Sequence, residues 1–351
     1  MKIAVIGCGT IANNAHIPSY MANEKAEIKY FCDIILERAE EAVKKYGCGT
    51  AVADYKEVLA DPEIEAVSVC TPNHMHSVIA IDALNAGKNV LCEKPAARLY
   101  EEALAMQEAQ HKTGKVLNIG VVNRFNTQVN KIKELIDNGE LGEVYHVYVS
   151  FRSHRSIPGL GGDFTNKEVA GGGALIDWGV HFLDIVMYCT GDPAAKTVSC
   201  ETFSKLGNPM EGYVYKNMWA GPPKFDGVYS VEEGIAGIVR TEGPTITVNG
   251  AWAQNIGEIE MFIDFMGTKG GIRLIYGGDF TLYTTKNGML QKSTFEMQTE
   301  PMFQKEIDSF VDCIESGEKL PSHIDTNIVT SRMMDAMYRS AETHKEIDME
   351  A

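Results

Sequence analysis

The chain opens "MKIAVIGCGTIA", Met1 to Ala12, and this stretch decides the reading of its first third. Lys2 to Ile6 is a short, mostly apolar run of the kind that forms a buried strand. Gly7 and Gly9 follow at once, and Ala12 completes the pattern G-x-G-x-x-A. One glycine permits a tight turn, and the next leaves the backbone of Thr10, Ile11 and Ala12 open at the start of a helix. A helix N-terminus of that kind attracts a pyrophosphate.

Alone the motif is weak, so its surroundings carry the argument. A helical pattern runs from about Ile11 to Asn23, and "AEIKYFCD" is a second strand that ends at Asp33. There a carboxylate can take the hydroxyls of an adenosine ribose and repel a 2′-phosphate, which favours NAD over NADP. Asp33 also suits the N-cap of the next helix, "ILERAEEAVKKYG", and the two roles can coexist. "AVSVCTP", "KNVLCEKP" and "KVLNIGVV" are further strands, separated by the helical "SVIAIDALNAG" and "YEEALAMQEAQHKTG". This alternation predicts a doubly wound parallel sheet over residues 1–122.

From about Asn123 the pattern changes. "QVNKIKELIDNG" is helical, and "IAGIVRTEG", "TITVNGAWAQ", "EIEMFIDFMG" and "GIRLIYGG" are period-2 stretches parted by turn residues. With two helices in the tail, residues 123–351 read as an α+β domain on an open, largely antiparallel sheet, the whole chain being α/β. The segment Lys205 to Gly227, rich in Gly and Pro, reads as a long loop.

A formal net charge of −16 argues against nucleic acid and anionic membrane as partners. No apolar run reaches the ~18 residues of a membrane span, and the opening lacks a signal-peptide pattern, so the expected location is cytoplasmic. Eight scattered cysteines without C-x-x-C argue against structural zinc and disulfides; Cys32, Cys70 and Cys92 read as buried, reduced thiols at strand ends. In "CTPNHMH" the residues Thr71, Pro72 and Asn73 turn the chain at the carboxyl end of the sheet, where ligands bind. His74 and His76 lack a third ligand, so no metal is expected; His76 would contact the cofactor or cap the following helix.

"CEKPAA", Cys92 to Ala97, completes a set of motifs. Glu93-Lys94-Pro95 at a strand end, downstream of G-x-G-x-x-A and "CTPNHMH", resembles the glucose–fructose oxidoreductase / inositol dehydrogenase / rhizopine-catabolism (Gfo/Idh/MocA) family. The resemblance continues through "VVNRFNTQVNKIKELIDNGELGEVYHV", "GGGALIDWGVHFLDIVMYCTGD", "GTKGGIRL" and "EIDSFVDCIESGEKLP". It implies a Rossmann domain followed by a sheet domain whose open face mediates homo-oligomerisation. It also implies a tightly held nicotinamide cofactor, contacts from Glu93, Lys94 and Asn123, a cis Lys94–Pro95 bond, and chemistry on a secondary alcohol of a sugar, cyclitol or polyol.

Within that expectation "GGGALIDWGVHFLD", Gly171 to Asp184, takes on meaning. Asp177 and His181 are four apart and share a helix face. A neutral imidazole suits removal of a hydroxyl proton, so His181 is the expected base or acid and Asp177 its orienter. Lys94 would stabilise charge developing on the reacting oxygen. Gly171, Gly172 and Gly173 would let the backbone approach the ligand; Asp177 and His181 also read as a polar pair on a packed helix. Arg124 suits a ligand contact or a linker salt bridge, Arg152 and His154 a substrate cleft or a subunit interface, and Trp178 a stacking surface or the core. Two other functions use the same residues: a redox-neutral, NAD-dependent glycosidase and a non-catalytic NAD-binding regulator. Retention of Lys94, Asp177 and His181 argues against the regulator.

Overall fold

A computed structural model describes residues 1–350. The chain forms two compact units, one from Met1–Asn126 with Glu300–Ile328, the other from Thr127–Thr299 with the residues from Val329 onward.

The first unit is built on six parallel strands: β1 (Lys2–Ile6), β2 (Glu27–Cys32), β3 (Thr50–Val52), β4 (Ala66–Val69), β5 (Asn89–Glu93) and β6 (Leu117–Gly120). Their order is β3-β2-β1-β4-β5-β6, the doubly wound arrangement expected. The sequence direction reverses between β1 and β4, and a crevice for ligands lies at the carboxyl ends of such strands. β4 and β5 are buried along their whole length, as continuous apolar runs in a two-sided sheet must be.

One boundary needs correction. A single cut at 122/123 assigns everything downstream to the second domain, yet the helix Met302–Ser316 belongs to the first unit. Its Ile307, Phe310 and Val311 are buried in one cluster with Ile3, Val5 and Phe31. An amphipathic stripe announces that a helix has a buried face and is silent about which sheet it covers.

The second unit carries nine strands: β7 (Val144–Arg152), β8 (Ala195–Phe203), β9 (Gly234–Thr241), β10 (Thr245–Ala251), β11 (Glu260–Gly267), β12 (Gly270–Ile275), β13 (Phe280–Lys286), β14 (Met289–Thr294) and β15 (Ile347–Asp348). Their order is β14-β13-β12-β11-β7-β10-β9-β8-β15, antiparallel throughout except for the β7–β10 pair. One face of this sheet supplies Val147, Val149, Phe151, Val248 and Phe265 to a core completed by Phe182, Leu183 and Val186. The last three belong to the helix Val180–Thr190. The stretch Lys167–Thr190 has the length and composition to cross a membrane, but most of it is buried inside the structure, as in a core helix of a folded domain.

All eight cysteines are free and all but Cys48 are buried. Burial pushes the Cys32 thiol up to about 12 and those of Cys70 and Cys92 well above their usual range, so they are inert packing groups.

Candidate active site

The glycine turn is shaped by close approach. Gly7 has φ +93°, and a Cβ there would lie 2.5 Å from the Cys70 carbonyl oxygen, so the β1 turn presses against the end of β4. Gly9 faces open space, and the helical turn begins at Thr10. The Asn13 side-chain amide donates to the carbonyls of Cys8 (2.9 Å) and Gly9 (3.1 Å) and holds the turn from behind. Asp33 receives the Cys8 N–H on Oδ2 and the Ile35 N–H on Oδ1, both at 2.9 Å. It therefore ties the glycine turn to the end of β2, and each oxygen keeps a lone pair for a ribose hydroxyl. The helix Leu36–Tyr46 has Ile35 as its N-cap and no side-chain cap, so Asp33 does not cap it.

At the carboxyl end of β4, Thr71 Oγ1 and His74 Nδ1 are buried and have no hydrogen-bond partner among the described residues. Buried polar atoms are rarely left so, and a bound polar ligand would satisfy them. With the turn at Gly9 and the lone pairs of Asp33, these residues fit a dinucleotide. Pro72 precedes the short helix Asn73–Met75 that Asn73 opens. His76 proves to be support for the site rather than a contact. It is 1% exposed, and its ring nitrogens lie 2.7 Å from the Pro95 carbonyl and 2.8 Å from the Thr71 carbonyl. It joins the loops that follow β4 and β5; burial pushes its pKa down, while the two carbonyl contacts act in the opposite direction.

Glu93 sits in a buried network absent from the sequence expectations. His16 Nε2 donates to Glu93 Oε1 at 2.8 Å, His16 Nδ1 is 3.2 Å from Ser68 Oγ, and Tyr20 OH is 2.8 Å from the same hydroxyl. The Lys94 N–H donates to Glu93 Oε2 at 3.0 Å, and the Lys94–Pro95 bond is cis. Burial pushes the Glu93 carboxyl up, yet the His16 hydrogen bond and the charges of His16 and Lys94 hold it below its usual range. His16 lies in a five-residue π-helical stretch, Ala12–His16, behind the glycine turn. A histidine in the helix that follows the glycine turn is its only mark in the sequence. Asn123 and Arg124 are buried in the short helix Val122–Phe125. Arg124 Nη1 donates to the Pro321 carbonyl at 2.8 Å and is 2% exposed, which corrects its reading as a substrate contact.

In the second unit the helix behind the glycine run is π-helical over Leu175–Gly179 and α-helical over Val180–Thr190. The Val180 N–H reaches back to the Leu175 carbonyl, so one extra residue is accommodated in the turn that carries Asp177. Such turns recur at functional sites. Asp177 is 8% exposed and accepts a 3.2 Å hydrogen bond from the Trp252 indole. His181 is half-buried, its ring 6.2 Å from that of Tyr276, which in turn stacks on Phe182 at 4.5 Å.

The glycine run serves packing, contrary to the expectation of ligand approach. A Cβ at Gly172 would lie 2.0 Å from Tyr338 OH, and one at Gly173 would lie 1.8 Å from the Glu232 carbonyl oxygen. Arg152 is also accounted for without a ligand. It pairs through Nη2 with Glu260, its register partner on β11, and its Nε donates to Ser150 Oγ at 3.3 Å. His154 is half-buried. Trp178 packs between the sheet core and a smaller apolar cluster around Trp252, which favours the core reading over stacking.

Two family descriptions match the chain: an oxidoreductase family with an NAD-binding Rossmann fold over residues 1–121, and the GFO/IDH/MocA C-terminal domain over residues 129–273. The D-glucoside 3-dehydrogenase of Escherichia coli (strain K12) is 31% identical over 352 residues, covering 99% of this chain and 97% of the relative. The chain belongs to the Gfo/Idh/MocA oxidoreductase family. It is an NAD-dependent enzyme. A second member of the family, the myo-inositol 2-dehydrogenase of Thermotoga maritima, is 29% identical over 192 residues, 55% of each protein. The fold is shared end to end with levoglucosan dehydrogenase, solved with NADH and levoglucosan: TM-score 0.86, 22% identity, 100% of both chains covered.

Proposed function

We propose that this family member moves a hydride between NAD and a ring secondary alcohol of a sugar, glycoside or cyclitol. The observation that carries the reading is the Asp177–His181 helix, with Asp177 held by Trp252, in a chain matched along nearly its whole length by a glucoside dehydrogenase. NAD, held by the turn at Gly9, Asp33 and Thr71, supplies the hydride acceptor. His181 takes the hydroxyl proton as the alcohol is oxidised and returns it in reduction. Asp177 orients the imidazole or hydrogen-bonds a neighbouring hydroxyl. The Lys94 ammonium stabilises negative charge on the reacting oxygen.

The test incubates stoichiometric enzyme and NAD with separate pools of cyclitols, free sugars and glycosides, and follows reduced nicotinamide by its near-ultraviolet absorbance. A signal from one pool, lost in a His181→Ala protein, supports the reading. Glycoside cleavage without net reduction of NAD would replace it with the redox-neutral cycle.

Cofactor choice gives a further prediction. Asp33→Ala removes charge-assisted bonding worth about 1.5–3 kcal/mol in all, so NAD binding should weaken by roughly 10- to 100-fold. The preference over NADP should shrink at the same time, since the repelling carboxylate is gone. Titration of both nucleotides by fluorescence checks this, and an unchanged preference removes Asp33 from the site.

Assembly through the open sheet belongs to the same proposal. Tyr145, Ile238, Ile275 and Tyr283 are large exposed apolar side chains on β7, β9, β12 and β13, and a second copy of the sheet would cover them. Eight free thiols suit a reducing, cytoplasmic compartment.

A further inference from the structure

Glu232 and Glu233 stand side by side in "YSVEEGIAG", just before β9, and both are buried. Buried carboxylates need several donors to offset their lost hydration. Each of these has found them on a different part of the unit.

Glu232 serves the start of the helix that carries Asp177 and His181. Its Oε2 receives the Gly173 N–H at 2.9 Å, and its Oε1 receives the Leu175 N–H at 3.0 Å and Tyr338 OH at 2.9 Å. Its backbone carbonyl takes the Ala174 N–H at 3.2 Å. Three successive N–H groups at the head of that helix thus end on one residue. These are groups a helix cannot satisfy internally, and negative charge there also suits the helix dipole.

Glu233 serves the long loop. Its carboxylate receives the N–H groups of Lys205, Leu206 (2.9 Å) and Gly207 (3.3 Å), and Tyr229 OH at 2.9 Å. Its backbone carbonyl takes the Trp252 N–H at 2.8 Å, and the Trp252 indole is the donor to Asp177. Met210 and Tyr213 of the loop lie in the same apolar cluster as Trp252. Two adjacent residues therefore reach Asp177 by two routes: through the head of its helix and through the tryptophan that holds its carboxylate.

We propose that Glu232 and Glu233 are positioning residues for the Asp177–His181 pair, Glu232 seating the helix and Glu233 tying Trp252 and the Lys205–Gly207 loop to it. The chemistry they would serve rests on the proposed function, but the coupling does not.

The test uses the full-length chain carrying E232Q or E233Q. Glutamine keeps the shape of each side chain but loses the charge and one of its two acceptor oxygens. E232Q is expected to lower kcat by roughly 10- to 100-fold with KM for NAD within about twofold, and to move the acid limb of the kcat–pH profile as the imidazole environment changes. A residue that only stabilised the fold would lower the active fraction equally at every pH. The second readout is amide hydrogen exchange, which needs no substrate. E233Q should speed exchange at 205–207 and also at 173–177; E232Q should speed it at 173–177. Should E232Q fail to fold, Tyr338→Phe removes a single bond to Glu232 and should give the same direction of change at 173–177.

Faster exchange confined to 205–207 in E233Q, or an unmoved pH profile in an active E232Q protein, overturns the proposal. If the unmodified protein oxidised no sugar, glycoside or cyclitol, the proposed function would fall while the exchange measurement still decided the coupling.

Discussion

His181→Ala is expected to slow hydride transfer by about 10²- to 10⁴-fold, the usual range for loss of a general acid–base group. NAD affinity should be almost unchanged, because the turn at Gly9, Asp33 and the orphaned Thr71 hydroxyl lie in the first unit and His181 in the second. The fold should also survive. His181 is half-buried at the edge of the Tyr276–Phe182 stack and is not one of the core side chains. The measurement is single-turnover reduction of NAD alongside fluorescence titration of NADH. The pH dependence of the residual rate should lose its imidazole limb. Near-normal turnover would remove His181 from the chemistry.

The second large effect is at Lys94, where alanine should cost roughly 10²- to 10³-fold in kcat if the ammonium stabilises charge on the reacting oxygen. This substitution has a complication that the structure exposes. Lys94 is one of the charges that hold Glu93 ionised against its burial, so Lys94→Ala also loosens the Glu93–His16 pair. Glu93 has its folded pKa lowered. Its contribution to stability is present above the unfolded carboxyl pKa and is lost as pH falls through the folded value. Lys94→Ala should therefore shift the onset of acid unfolding upward in pH. Lys94→Arg separates the two effects. It keeps a positive charge beside Glu93, so acid stability should return, but a broad planar guanidinium does not replace a compact ammonium, and the rate should stay low. Recovery of both by arginine would mean that Lys94 acts only through Glu93.

The nucleotide half was legible because its parts are local. A strand, two glycines and a helix start fall within twelve residues, and Asp33 follows at the end of the next strand. β3 escaped notice because three residues at a sheet edge, Thr50 exposed and Ala51 and Val52 half-buried, carry no periodicity. What failed elsewhere was partner assignment across long separations. Arg152 looked like a free cation until Glu260 appeared opposite it on β11. The glycine run marked a place where something must come close, but the pattern could not say whether that was a ligand or Tyr338 and the Glu232 carbonyl. Glu232 and Glu233 looked like any two acids beside a strand. Their donors come from helix and loop backbones 26 to 59 residues away, and a backbone N–H leaves no mark in composition.

The widened turn at Leu175–Gly179 has a consequence for how this protein can change. An α-helix is the ordinary resting geometry, and a chain one residue shorter here would recover it with both flanks still in phase. The ends explain why the irregularity persists. Glu232 clamps the head of the helix, and Gly179, where a Cβ would lie 3.1 Å from the Phe151 ring, lets the end of the widened turn press onto β7. Deleting Trp178 would bring the turn back to α-helical phase but would also remove an aromatic side chain packed between two apolar clusters, so a lower melting temperature is expected together with lost turnover, two quantities measurable on one sample. The helix that carries Asp177 and His181 thus holds its irregular turn between two fixed points, the Glu232 clamp and the contact with β7.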